Sequence, residues 1–336
     1  MADRIEDFDV WHPETLAMDA LIERARRIER AGMESDDRVD NSEGASVSAE
    51  AVIGVYANSH GFTGSDRHTR YGQSCVLVAR DGGGMQRDWD WDDRVEYGQL
   101  VEPEITGREA ARRAAARLGP RRMPKGRMPV LFTPEVALSL VRHLVGAASG
   151  GNLYRRASFL VDAAGTRILP EWVRIDERPH LAGAIRSSSF DAEGVATREA
   201  PLVRDGILTR YVLGSYSARK LGLETTGNAG GVRNLIFAPG GQDFDGLVAS
   251  MEQGLIVTEV MGQGVNLVTG DYSRGASGFR VEDGRIAHPV EEITIAGNLR
   301  DMFAGLRAAG SDLEARRNIQ VPSLLIDGMT VAGQDA

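Results

Sequence analysis

The chain has 336 residues, of which 42% are hydrophobic, and its 39 Lys and Arg against 48 Asp and Glu give a formal net charge of −9. That acidity argues against a molecule whose surface as a whole holds nucleic acid or an anionic membrane, while the apolar content suffices for one large core or two smaller ones. No apolar run approaches the roughly 18 residues of a membrane span, residues 1–9 (MADRIEDFD) lack a secretory apolar segment, and the single Cys75 rules out an internal disulfide, so a cytoplasmic location is expected.

In chain order, His12-Pro13-Glu14 leads into a predicted helix ending near Gly32, with Leu16, Ala20, Leu21, Ala25 and Ile28 inward. Residues 41–48 read as a turn, 51–57 as a strand, Asn58-Ser59-His60-Gly61 as a hairpin turn and 71–80 as the next strand. Within that strand Cys75 reads as a packed residue rather than a reactive thiol. A third strand is expected near Trp89 after Gly82-Gly83-Gly84, and the short links favour antiparallel pairing. Residues 106–118 form an Ala/Arg-rich helix. Eight basic residues stand between 108 and 127 against one acid, Glu109; with no aromatics interleaved, a solvated helix face explains them better than a nucleic-acid arm. Pro120, Pro124 and Pro129 read as a stiff linker, which places a boundary between domains 1–128 and 129–336.

Thr133 is expected as an N-cap, with Pro134 at the first helical position and Glu135 facing the helix dipole. Val136, Leu140, Val141, Leu144 and Val145 supply an apolar face, and the helix should stop at Ser149-Gly150-Gly151, where glycine accepts a positive φ. Residues 158–161 read as a buried strand. Short strands follow at 167–169, 194–198, 202–203, 209–213, 254–260, 278–281, 285–288, 292–296 and 323–326. Asp205-Gly206 and Asp283-Gly284 are hairpin turns by composition. Helices are predicted at 215–221, 244–251 and 299–309, the last entered through Asn298. The fold class is α+β: an N-terminal helix and antiparallel-strand region, then a larger C-terminal domain of many short, mostly antiparallel strands with a few helices.

Two short motifs fail on inspection. Ser217-Ala218-Arg219-Lys220 fits Ser-x-x-Lys, but neither Ser-Asp-Asn nor Lys-Thr-Gly occurs. Gly262-Gln263-Gly264 is not completed to a dinucleotide fingerprint, and no Gly-Lys-Ser/Thr is present. The candidate site is instead a peptide groove. It would use Asn152, Tyr154 and Arg155 after the central helix, Gln263 and Asn266 in one Gly-rich loop, and Asp271, Tyr272, Ser273 and Arg274 in a second. The same glycines also suit plain tight turns with a local Asp271–Arg274 ion pair.

Longer blocks are more specific. GGNLYR (150–155), SSSFDAEGVATRE (187–199), SYSARKLGLETTGNAGG (215–231), VTEVMGQGVNLVTGDYSRGASGF (257–279), EITIAGNL (292–299) and DGMTVAG (327–333), with NSEGASVS (41–48) and ANSHGFTG (57–64) upstream, resemble the TldD/PmbA family in its PmbA (TldE) branch. The resemblance covers nearly the whole chain and implies a two-subunit metallopeptidase system acting on unfolded or modified peptides. The TldD branch carries a His-Glu-x-x-x-His helix for zinc. The corresponding positions here are Arg142, His143 and Ala147, so the resemblance implies no metal ligands and no catalytic residues in this chain. Zinc is expected in a TldD-like partner, paired about a pseudo-twofold, with no nucleic-acid or membrane partner; a homodimer is possible in isolation. Family members also carry an N-terminal subdomain before the matched region, and this chain begins at roughly the helix that follows it, as either a shortened protein or a gene model begun at an internal Met would; if the subdomain is gone, apolar surface or sheet edges in residues 1–105 would be left uncovered. The alternative is a non-catalytic scaffold that keeps the fold.

Overall fold

The structure, a computed structural model, describes residues 1–333. It is an α+β protein. The N-terminal region contains α1 (Met18–Met33), β1 (Val39–Ala57), β2 (Thr63–Asp81), β3 (Gly84–Arg94) and α2 (Pro103–Ala116). The three strands pair antiparallel in the order β1-β2-β3. Both helices pack on the sheet over a core of Ile28, Val39, Cys75, Leu77, Ala79 and Ala110, Ala111, Ala114 and Ala115 of α2. The helices cross very closely: a Cβ on Gly107 would lie 2.0 Å from the Ile28 carbonyl oxygen, so glycine is required there. Cys75 is fully buried, and burial pushes its thiol up to about 12.

Residues 41–48, expected as a turn, belong to β1, which runs unbroken from Val39 to Ala57. Their turn-forming residues make a bulge instead: the register shifts between Ser42 and Gly44, and Gly44 has φ 118°. The polarity of the segment reflects its place on an open sheet edge. Farther along that edge Ile53 and Val55 are 67% and 73% exposed. The hairpin turn stands where expected, with the Asn58 carboxamide oxygen accepting from the His60 and Phe62 amides at 3.0 and 3.4 Å.

The C-terminal region begins with β4 (Gly126–Phe132), α3 (Pro134–Ala147), the short α4 (Gly150–Tyr154), β5 (Ile175–Glu177), β6 (Ala200–Arg204), β7 (Ile207–Leu208), α5 (Ser215–Leu221) and β8 (Leu235–Phe237). It continues with α6 (Phe244–Ala249), β9 (Gly254–Met261), β10 (Asp271–Glu282), β11 (Arg285–Asn298), α7 (Leu299–Ala304), β12 (Leu306–Ala309), β13 (Ile319–Gln320) and β14 (Leu324–Ala332). The larger sheet has the order β11-β10-β9-β4-β14-β12, and a further β11–β14 pairing closes five of these strands into a ring. Only β4 and β9 in it are parallel. Alternation sorts its side chains: Val130, Phe132, Leu255, Val257, Leu324 and Ile326 join the main core with α3 and α7, whereas Leu131, Ile256 and Leu325 turn to α6. The smaller sheet has the order β13-β8-β5-β6-β7. Asp205-Gly206 and Asp283-Gly284 both have positive φ at each residue, as two-residue hairpin turns require.

Several expectations change. Pro129 lies inside β4, opposite the β14 bulge between Ile326 and Met329, where a missing N–H is tolerated. Thr133 sits at the N-cap position but donates its hydroxyl to the Val257 carbonyl instead of capping. Helix α3 ends at Ala147, and Gly150 opens α4 without a positive φ; the glycine is needed because a Cβ there would meet the Ser217 hydroxyl at 2.3 Å. Residues 158–161 are turns rather than a strand: the Ser158 hydroxyl donates to the Ala147 carbonyl and accepts from the Leu160 amide, while Phe159 and Leu160 are buried. Segments 167–169, 194–198 and 209–213 make single bridges only. Side chains serve their backbone instead, Asp191 accepting from Glu193 and Val195 and Thr226 from Leu213. The predicted helix 299–309 stops at Ala304, and its last residues form β12. Asn298 caps it by accepting from the Arg300 amide.

Candidate functional site

The sequence-derived residues form two groups that meet at Gly146 and Leu267. In the first, the Asn152 carboxamide donates to the Gly146 carbonyl at 2.8 Å and accepts from Arg155 at 3.3 Å. Tyr154 packs edge-on against Tyr216 at 5.8 Å, with the Arg155 guanidinium 5.7 Å over its ring. The second group is loop 262–270 with the start of β10. A Cβ on Gly264 would lie 1.9 Å from the Ser273 carbonyl oxygen, so glycine lets the loop fold back on the strand. Phe159 donates its amide to the Leu267 carbonyl, and a Cβ on Gly146 would stand 3.2 Å from Leu267 Cδ1, which joins the groups.

Gln263, Asn266, Asp271 and Ser273 are exposed. Asn266 accepts from the Val268 amide, and Asp271 accepts from the Thr269 hydroxyl at 2.6 Å and the Asn298 carboxamide at 3.3 Å. The Asp271–Arg274 ion pair is absent: Arg274 donates instead to the carbonyls of Met261 and Val260, at 3.0 and 3.4 Å, and holds the end of β9. Tyr272 points inward. Only 1% of it is exposed, its hydroxyl has no partner among the described residues, and burial pushes it up to about 12. Its ring meets His143 of α3 edge-on at 6.3 Å. The His143 Nε2 is likewise buried without a partner, and burial together with the Arg274 charge holds this imidazole below its usual range.

The positions that the family resemblance sets against a zinc helix do not fit a metal. Arg142 is exposed and permanently charged, Ala147 is buried and has no donor atom, and His143 stands alone between them. Among the described residues no group of three or more His, Cys, Asp or Glu side chains is placed to hold an ion.

A cleft of about 630 Å³ lies where the two regions meet. Its floor is Ile256 and Val260 of β9, Phe279, Ile286 and Phe244; Trp89, Ala116 and the first turns of α3 wall it. Ion pairs across the seam form its rim. Arg113 of α2 reaches both Glu135 carboxylate oxygens at 2.9 Å, and Arg117 reaches Glu259 at 2.7 Å and Asp88 at 3.4 Å. Arg316 contacts Glu314, Asp90 and Glu135 and lies 4.5 Å over the Trp91 ring, against which Arg317 also stands at 3.9 Å. Asp90 is nearly fully buried, and burial pushes it up to about 6 although Arg113 and Arg316 oppose the shift. Arg113 and Arg117 are therefore seam residues, not a solvated face. The spacing of Glu109, Arg113 and Arg117 on one helical stripe was the available signal.

The chain belongs to the PmbA/TldD family of metallopeptidases: residues 11–118 match the PmbA/TldA metallopeptidase central domain and residues 125–333 the PmbA/TldA metallopeptidase C-terminal domain. It is 46% identical to metalloprotease PmbA of Escherichia coli O157:H7, over 98% of this chain and 73% of that protein. To a metalloprotease PmbA homolog of Haemophilus influenzae it is 42% identical, over 99% of this chain and 74% of the other. Among solved structures it resembles a protein from Thermotoga maritima described as a modulator of a DNA gyrase, with a TM-score of 0.91 and 28% identity over 98% of this chain and 78% of that one. It shares the fold of TldE from Thermococcus kodakarensis, at a TM-score of 0.85 and 20% identity over 98% and 78% of the two chains. No helix among the described residues is long and apolar enough to cross a membrane.

Proposed function

We propose that this chain is a PmbA/TldE-like subunit of a cytoplasmic TldD–TldE-type metallopeptidase that acts on unfolded or modified peptides. It contributes chamber wall and peptide-holding surface, and a TldD-like partner holds the zinc. What supports this reading is helix α3, where Arg142 and Ala147, which cannot ligate a metal, stand at the positions that the family resemblance sets against the zinc ligands. Peptide holding falls to the exposed polar groups around β10 and α4, to Gln263 and Asn266 of the loop folded back on β10, and to Arg274. Pairing with a related chain through equivalent surfaces accounts for a family fold without its metal ligands.

The test is reconstitution. The purified chain is assayed on unfolded peptides alone, with a TldD-like subunit, and with that mixture plus a chelator. The expected result is no cleavage by this chain, co-elution of the two chains, and chelator-sensitive cleavage by the mixture. Chelator-insensitive cleavage by this chain alone overturns the proposal.

A further inference from the structure

Helices α4 and α5 share a surface that combines aromatic rings with cations. The two helices approach closely, since a Cβ on Gly150 would meet the Ser217 hydroxyl at 2.3 Å. Their approach sets Tyr154 edge-on to Tyr216 with ring centroids 5.8 Å apart, and Tyr216 is 53% exposed. The Arg155 guanidinium lies 5.7 Å over the Tyr154 ring and the Lys220 ammonium 5.7 Å over the Tyr216 ring. Each phenol thus carries its own cation.

These cations are uncommitted. Among the described residues neither Arg155 nor Lys220 pairs with a carboxylate, and Arg155 donates only to the Asn152 carboxamide oxygen, at 3.3 Å. Glu224, four residues past Lys220, does not reach it; the chain leaves α5 through Gly222 at φ 68°. The carboxylates beside the patch are engaged elsewhere: Asp162 lies by Arg156 at 3.6 Å, and Glu193 accepts from the Ser215 amide at 2.7 Å. In a chain of net charge −9 this is a local excess of positive charge. Salt screens the repulsion from the rest of the surface beyond about 10 Å.

Aromatic rings beside cations suit two kinds of ligand, single-stranded nucleic acid and acidic peptide. The rings here cross at 82° instead of lying parallel, and one face of each is covered by its own cation, so successive bases find no stacking platform. A carboxylate needs no ring face. It pairs with a guanidinium or ammonium head, while the exposed phenol packs against an apolar neighbour. We propose that this surface selects acidic peptides, Arg155 and Lys220 each pairing with an Asp or Glu carboxylate and the Tyr154–Tyr216 pair packing on an apolar residue beside them. The assignment rests on the peptide-holding reading above, which already includes Tyr154 and Arg155, and adds to it the chemical class of peptide held.

The probe is acetyl-Glu-Asp-Phe-Asp-Glu-amide, titrated into the full chain by calorimetry beside its uncharged isostere, acetyl-Gln-Asn-Phe-Asn-Gln-amide. The acidic peptide is expected to bind about fivefold tighter, the range of exposed charge pairs, and its advantage should shrink as salt is added. Lys220→Glu should erase most of that advantage, with the affinity for the isostere and the melting temperature unchanged. Tyr216→Ala should weaken both peptides about threefold. Equal affinity for the two peptides overturns the acidic class while leaving peptide holding by this chain intact. An advantage that survives Lys220→Glu in full overturns the placement. Tighter binding of a ten-nucleotide oligothymidine than of the acidic peptide overturns the choice of ligand. Absence of binding by either peptide overturns both this inference and the peptide-holding reading.

Discussion

In the N-terminal region the core is thin. Cys75, Leu77 and four buried alanines of α2 fill the space between sheet and helices, the helices touch at glycine, and among the described residues β1 pairs on one edge only. In the C-terminal region Phe132, Leu140, Leu144, Leu255 and Ile295 belong to one extensive core, and the ring of strands leaves few edges. The first region relies on close backbone approach and on charges at its border, the second on apolar volume. Close approach fails abruptly when one atom is added, whereas apolar volume fails in proportion to what is removed. The border between two such regions is where a cleft and a ring of ion pairs can coexist.

Substitutions can break this contrast. Gly107→Val forces a side chain against the Ile28 carbonyl and should cost about 3–5 kcal/mol. Its loss should appear in calorimetry as a separate early transition of the N-terminal region. A single cooperative transition would show that the two regions do not differ in this way. Leu140→Ala, at a position 1% exposed, should cost about 3 kcal/mol and lower the main transition.

A subtler test concerns the border. Asp90 is folded with its carboxyl raised to about 6 from 3.8. A carboxyl raised on folding stabilises the protonated state, so its contribution is present at low pH and is lost as pH rises from about 4 through 6, by roughly 3 kcal/mol at most. Asp90→Asn should remove this slope. Melting temperatures of variant and wild type that stay parallel from pH 4 to 7 would exclude Asp90 as the source. The smallest effect is expected from Arg274→Ala, which loses bonds to two carbonyls at a strand end. It should cost under about 1 kcal/mol in stability and weaken peptide capture in the reconstituted complex. A large fall in melting temperature matched to the loss of capture would assign Arg274 a purely structural role.

The sequence was most readable where neighbours along the chain decide the structure. Pro134 and the spacing of Val136, Leu140 and Leu144 mark α3, Asp205-Gly206 and Asp283-Gly284 mark their hairpins, and Asn298 marks its cap. It misled where a distant partner decides. Gly150 answers to Ser217, Gly44 makes a bulge because β2 is there to pair with it, and Phe159 is buried without strand partners because Ser158 folds the backbone locally. The polar loop residues of the candidate groove are close neighbours in the sequence, but the inward turn of Tyr272 was not legible there, since its ring meets His143 of another element. The cleft was invisible because its walls come from α2, α3 and β9, and no local pattern links Arg113 to Glu135 or Arg117 to Glu259.

The closure of the ring also sets a timetable. Strand β4 is made early, but its two neighbours, β9 and β14, are made much later, and Phe132 finds its partner Leu324 only when nearly the whole C-terminal region exists. Until then Val130, Leu131 and Phe132 form an apolar strand with both edges bare, the kind of segment on which chaperones act and from which aggregates grow. Folding of this region should therefore be slow and late, and its yield should depend more on protection of that one strand during synthesis than on the stability finally reached.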